Sequence, residues 1–202
     1  MPEELKTQIP LIEEVIHSFS APLVKLAGYE ADDVIGTIAK HAPSDTHCYI
    51  ITTDRDALQL VSDDVTVISP NSKANRVFTP ELVQHEMGVP PELVPDLKAL
   101  MGDTSDNIPG IPLVGPKTAK RWLDTYGSLD NVLENAHLLK GKAGRNLMEG
   151  LEDALLYRYL ATIEQNIPTF CCWRAGRLSF DEHRVRTVLD DLGIRASIPQ
   201  VS

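Results

Sequence analysis

Two short runs rich in β-branched residues, CYIITT (48–53) and VTVISP (65–70), flank DRDALQLVS (54–62), a segment of helical character. Each run has the length and composition of a buried strand, and proline closes the second. Strand, helix, strand at this spacing predicts a parallel sheet with crossover helices, because parallel neighbours need a connection that returns over the sheet. Upstream, residues 3–19 carry Leu5, Ile9, Ile12, Val15, Ile16 and Phe19 on one helical side, and Pro22 ends that helix. LVKLA (23–27) reads as a short strand, and EADDVIGTIAKHA (30–42) as an amphipathic helix.

After residue 78 the pattern is helical throughout. TPELVQHEMG offers Thr79 as N-cap, Pro80 at the first helical position and Gly88 as the stop. PPELVPDLKALMGD (90–103) repeats the device, and shorter helices follow to about residue 160. WRAGRLSF (173–180) reads as a strand and 182–193 as a helix. The expected fold class is α/β, a parallel-sheet core over 1–106 followed by a helical half over 107–202.

An apolar fraction of 43% suffices for a real core. No apolar run approaches the ~20 residues that span a bilayer, and MPEELKTQIPLIEE lacks the basic-then-apolar order of a secretory signal. Cys48, Cys171 and Cys172 show no metal-binding spacing and read as free thiols, which points to a reducing cytoplasm. The net charge of −10 argues by itself against nucleic acid, but its distribution along the chain points the other way. Residues 1–109 hold 7 Lys/Arg against 18 Asp/Glu, whereas residues 110–150 hold 6 against 4. A cation site beside a phosphate-binding element has this pattern, and so do two ordinary solvated faces.

Three acidic clusters stand out: Glu30, Asp32 and Asp33; Asp54 and Asp56; and Asp103 and Asp106. The first lies at the start of a helix, where capping alone explains it. The second follows a hydrophobic strand directly, the end at which open parallel sheets bind ligands, and Asp54 could equally be an N-cap. The third lies in a polar loop that turn residues explain as well. Together, seven carboxylates on three segments would repel one another without a cation. An all-oxygen donor set suits Mg²⁺ or Mn²⁺. Two such ions in an acid-only site suit phosphodiester hydrolysis. The six histidines are scattered, and neither a nucleophile elbow nor a Walker loop is present.

NIPGIPLVGPKTAKRWLDTYGSL (107–129) reads as two helices joined by a glycine hairpin, with Gly110 and Gly115 set for close backbone approach. Lys117, Thr118, Lys120 and Arg121 follow at the start of the second helix, as a grip on duplex backbone would require. An ordinary tight turn has the same glycine spacing.

GYEADDVIGTIA, IITTDRDALQLV, VPPELVPDLKALMGDTSDNIPG and VGPKTAKRWLDTYGSL, in that order between Gly28 and Leu129, resemble the 5′-3′ exonuclease domain of bacterial DNA polymerase I, a member of the flap-endonuclease family. Weaker similarity runs on toward residue 195. The resemblance implies a PIN-like 5′ nuclease core with a helix-hairpin-helix. It further implies that Glu30, Asp32, Asp33, Asp54, Asp56, Asp103 and Asp106 ligate or surround two divalent cations. The Gly110–Thr118 hairpin is implied to bind nicked, flapped or 5′-ended duplex DNA and to hold K⁺ on its carbonyls. The implied activity is metal-dependent 5′-3′ exonuclease or flap endonuclease cleavage in replication and repair, alongside a polymerase domain encoded elsewhere.

Two departures from the family pattern shape the expectations. Family members place a strand with a metal-binding aspartate, a second such strand and a basic arch ahead of the segment that resembles MPEELKTQI. The expectation is an N-terminally truncated core with an exposed sheet edge. A catalytically defective module that keeps structure-dependent duplex binding is the competing reading. Second, Leu113 occupies a hairpin position where the family usually has glycine. If that position needs φ > 0, leucine costs about 1–2 kcal/mol.

Overall fold

The computed structural model describes residues 2–168 and 179–198. They fall into two compact units, Met1–Val34 with Pro168–Ser202, and Ile35–Ile167.

In the first unit, α1 (Glu3–Ser18) packs against α9 (Glu182–Asp191). Asp181 caps α9 by accepting from the amides of His183 and Arg184, at 2.9 and 3.4 Å. Val185 and Leu189 form its buried face, and Phe19 meets Phe180 edge to face with centroids 5.0 Å apart. The strand expected over 23–27 is absent: residues 21–26 have no regular structure, and Leu23 and Val24 are each 37% exposed. A short apolar run becomes a strand only where a ladder partner satisfies its amides and carbonyls. Residues 173–178 of the other expected strand lie outside the described residues. Helix α2 (Ala31–Lys40) begins in this unit and ends in the second.

The second unit holds the sheet, ordered β1 (Cys48–Ile51), β2 (Val65–Ser69), β3 (Arg76–Phe78). As expected, β1 and β2 are parallel, with Cys48 opposite Val65 and Ile51 opposite Ile68. The sheet is nevertheless mixed, because β3 runs antiparallel to β2 with Phe78 opposite Val67. A three-residue strand is too short to show alternation in sequence. Between β1 and β2 the expected helix is a short 3₁₀ turn over Asp56–Leu60. Thr52 Oγ1 accepts from the Asp54 amide at 3.0 Å, and Asp54 Oδ1 from the Asp56 amide at 2.9 Å. These side-chain turns tighten the chain and shorten the helix that follows.

Helix α3 (Pro80–Met87) is bounded as its sequence dictates, by Thr79, whose hydroxyl accepts the Leu82 amide, and by Gly88 at φ 80°. The expected single helix over 90–103 divides into a 3₁₀ turn (Pro91–Leu93) and α4 (Val94–Met101). All residues from Val94 to Leu100 are buried, among them the charged Asp96 and Lys98. Around α4 pack α5 (Pro116–Tyr126) and α8 (Leu151–Ala161). Helices α6 (Leu129–Glu134) and α7 (Gly141–Glu149) complete the unit. Leu100, Leu123, Leu129, Val132 and Leu147 lie in its core. Among the described residues, no helix is long and apolar enough to cross a membrane.

Candidate metal centre

Asp56 opens the 3₁₀ turn just beyond β1, where the Asp54 carboxylate and the Thr52 hydroxyl fix the backbone. Asp103 and Asp106 come from the loop after α4. Gly102 ends that helix at φ 83°, and Asp103 and Ile108 then exchange two backbone hydrogen bonds of 2.8 Å. This bridge folds the intervening residues into a tight loop, with Asn107 at φ 56°, and turns Asp106 back toward Asp103. Asp56, Asp103 and Asp106 each present an oxygen within 4.8 Å of the other two.

Between them stands Lys98 of α4. Its Nζ donates to Asp56 and lies 2.6 Å from Asp103 and 3.4 Å from Asp106. Its side chain is 4% exposed, against 19% for Asp56 and 17% for Asp103. Burial pushes Asp56 up to about 6; the hydrogen bond and charge of Lys98 oppose that rise, and the Asp106 carboxylate adds to it. For Asp103, burial also acts upward, but hydrogen bonds from Lys98 and Ser105 outweigh it and hold the carboxyl at about 2. Burial acts to lower Lys98, and its bonds to Asp103 and Asp56 carry it above its usual value instead. The cluster is therefore polarised: one carboxylate is firmly ionised, and another binds a proton more readily than an aspartate in water.

Lys98 has no place in the site expected from sequence. Its signal was its helical setting: Val94 and Met101, four residues before and three after, place it on an apolar stripe, where a lysine must find buried partners. A cleft of about 540 Å³ opens beside the cluster, lined in part by Asp54, Arg55, Asp56, Lys98, Asp103 and Ser105. Three oxygen donors converging on a position already held by a cation fit a hard divalent ion.

Glu30, Asp32 and Asp33 lie in the first compact unit. Asp33 Oδ2 accepts the Glu30 amide at 3.2 Å, and Asp32 Oδ1 the Asp33 amide at 2.9 Å, so these acids fix the start of α2.

The hairpin lies between α4 and α5. Gly110 has φ 67°, and a Cβ there would fall 2.2 Å from the Gly102 nitrogen, so its missing side chain serves the loop's own packing. Gly115 has open space around it instead. Pro116 begins α5, and the Thr118 and Ala119 amides bond to the Gly115 carbonyl at 2.9 and 3.0 Å. Lys117, Lys120 and Arg121 are exposed on α5, Thr118 half-buried. Leu113 is left-handed, at φ 69°, and 64% exposed.

Comparison with known proteins places this geometry in a family context. Residues 1–88 match the N-terminal resolvase-like domain of 5′-3′ exonucleases, and residues 89–182 their C-terminal SAM fold. The chain is 40% identical over 199 residues to DNA polymerase I of Mycobacterium leprae, covering 96% of this chain and 22% of that protein. It is 45% identical over 152 residues to a 5′-3′ exonuclease of Aquifex aeolicus, covering 75% of this chain and 52% of that protein. It thus spans about a fifth of the polymerase relative and about half of the exonuclease. Among solved structures, a mutant of the T5 5′-exonuclease is 26% identical with a TM-score of 0.63, covering 86% of this chain and 69% of that one.

Proposed function

The chain belongs to the 5′-3′ exonuclease family, and from that premise we propose that it hydrolyses DNA phosphodiester bonds at 5′ ends or flaps. The observation that carries this reading is the convergence of Asp56, Asp103 and Asp106, drawn from two distant loops, on one position beside the α4–α5 hairpin.

Asp56, Asp103 and Asp106 would hold a divalent cation, Mg²⁺ being the physiological ion their hard oxygens favour. When bound, such an ion supplies Lewis acidity and charge stabilisation to phosphodiester hydrolysis. Asp54 orients Asp56 through its backbone amide and lines the same cleft, which makes it a further candidate ligand. Glu30, Asp32 and Asp33, and with them a second ion, enter on family likeness alone. Arg55, 3.6 Å from Glu86, adds positive charge to a cleft that Asp54, Asp56, Glu86 and Asp103 also line.

Substrate grip falls to residues from 107 onward. Lys117, Lys120 and Arg121 offer charge to duplex phosphates, and the open space at Gly115 admits a backbone. Thr118 and Gly110 hold the turn's shape, and K⁺ on the hairpin carbonyls would complete the grip. A T5 flap endonuclease solved as a complex with DNA and metal ions shares the fold at 24% identity and a TM-score of 0.65. A polymerase domain encoded elsewhere would fill the gap left by primer removal.

The test is cleavage of a 5′-flap duplex with added Mg²⁺. Asp106→Ala and Asp54→Ala should each abolish metal-dependent cutting while the proteins remain folded. Wild-type rates in Asp106→Ala would overturn the ligand assignment.

A further inference from the structure

Lys98 is buried to 4% exposure on the innermost helix, and its ammonium is in contact with the same three carboxylates that could hold a metal ion. An ammonium has three donors, matching three carboxylates. Each side depends on the other. A buried ammonium without partners is strongly disfavoured, and three carboxylates crowded within 4.8 Å repel one another without a cation. Three negative charges and one positive leave the cluster at −2, the charge a single divalent ion neutralises. The ammonium and that ion draw on the same oxygens, so both cannot keep full contact. The four-carbon stem lets the lysine head move, and the adjoining cleft of about 540 Å³ gives it room.

We infer that Lys98 is a positioning residue and a resident competitor of the metal site: it keeps Asp56, Asp103 and Asp106 assembled as their internal counter-ion and gives up part of its bonding when a divalent ion binds. The inference rests on the metal reading of this cluster, and it adds that the lysine weakens binding while preserving the shape of the site. The chain then binds its ion more weakly than a lysine-free cluster would, yet never exposes a bare cluster of acids.

The experiment is isothermal titration of Mg²⁺ and Mn²⁺ into the wild-type chain, Lys98→Met and Asp106→Asn, with melting curves of each at zero and saturating metal. Lys98→Met keeps the length of the side chain and removes its charge. It should bind divalent ions at least about tenfold more tightly, because a cation at contact distance no longer competes. It should melt below wild type without metal and regain most of that loss at saturation. A lysine with a merely structural role predicts a melting deficit at every metal concentration with affinity unchanged or weaker, and that result overturns the inference.

Should Lys98→Met not fold, the wild-type chain decides the matter. The Lys98 side-chain ammonium resonance should shift during a Mg²⁺ titration with the calorimetric midpoint, and a resonance that stays still overturns the inference. Asp106→Asn separates the two layers. If it leaves divalent binding intact, the metal reading of this cluster fails and the inference with it. If it abolishes binding while Lys98→Met binds no tighter, the inference alone fails.

Discussion

At the scale of single residues, Leu113 and Gly110 adopt the same left-handed backbone with opposite consequences. Leu113, at φ 69°, carries a strain of about 1–2 kcal/mol. Being 64% exposed, its side chain recovers little of that by burial. Replacing it by glycine relieves the strain but increases unfolded-state freedom by about 0.5–1 kcal/mol. Leu113→Gly should therefore stabilise by up to about 1.5 kcal/mol in chemical denaturation, and a loss of that size would mean that the leucine packs against something essential. Gly110→Ala should do the reverse, costing about 2 kcal/mol or more, since its methyl group meets the Gly102 backbone at 2.2 Å. The strain at Leu113 was foreshadowed only by the resemblance to a family that usually has glycine at that position. The reason for Gly110 was not, because its neighbour Gly102 is brought against it only by the bridge between Asp103 and Ile108.

At the scale of elements, α4 is tied to α6 and α8 by one polar device. Asp96 accepts the Leu129 amide at the start of α6 at 2.7 Å, and Arg158 of α8 reaches both Asp96, at 3.7 Å, and Asp130, at 2.8 Å. The two carboxylates respond oppositely to pH. The Arg158 hydrogen bond holds Asp130 below its usual 3.8, so its contribution is present above 3.8 and lost as pH falls through the folded value. Burial raises Asp96 above 3.8 against the Leu129 amide and Arg158, so its contribution is full below 3.8 and lost as pH rises through the folded value. Arg158→Ala removes a cation from both, and its cost should be greatest where both are ionised. We expect a loss of about 1–3 kcal/mol near pH 7, shrinking toward about pH 3, in urea melts at each pH. The exposure of Asp130 places that loss at the lower end. A cost independent of pH would mean that Arg158 acts only through its packed stem.

At the scale of the molecule, β1 is the end strand of the sheet among the described residues. Its outer positions, Tyr49 and Ile51, are 64% and 70% exposed. An apolar strand with one unpaired edge is a template for another strand. The chain should self-associate with rising concentration, and Ile51→Lys should shift sedimentation profiles toward monomer without lowering the melting temperature. Equal association of both proteins would place the contact elsewhere.

The amino-acid sequence by itself determined the parallel β1–β2 pair, the caps of α3, the helical second half and the acids worth watching. These are local matters, fixed by β-branched runs, N-cap hydroxyls, glycine stops and the spacing of apolar residues. It did not determine the fate of LVKLA, which found no ladder partner, or of Arg76–Phe78, which found one. Nor could it show that residue 56 meets residues 103 and 106 around Lys98; only tertiary structure did that. Attraction between charges depends on distance through space, and that distance is set by how α4 packs against its neighbours.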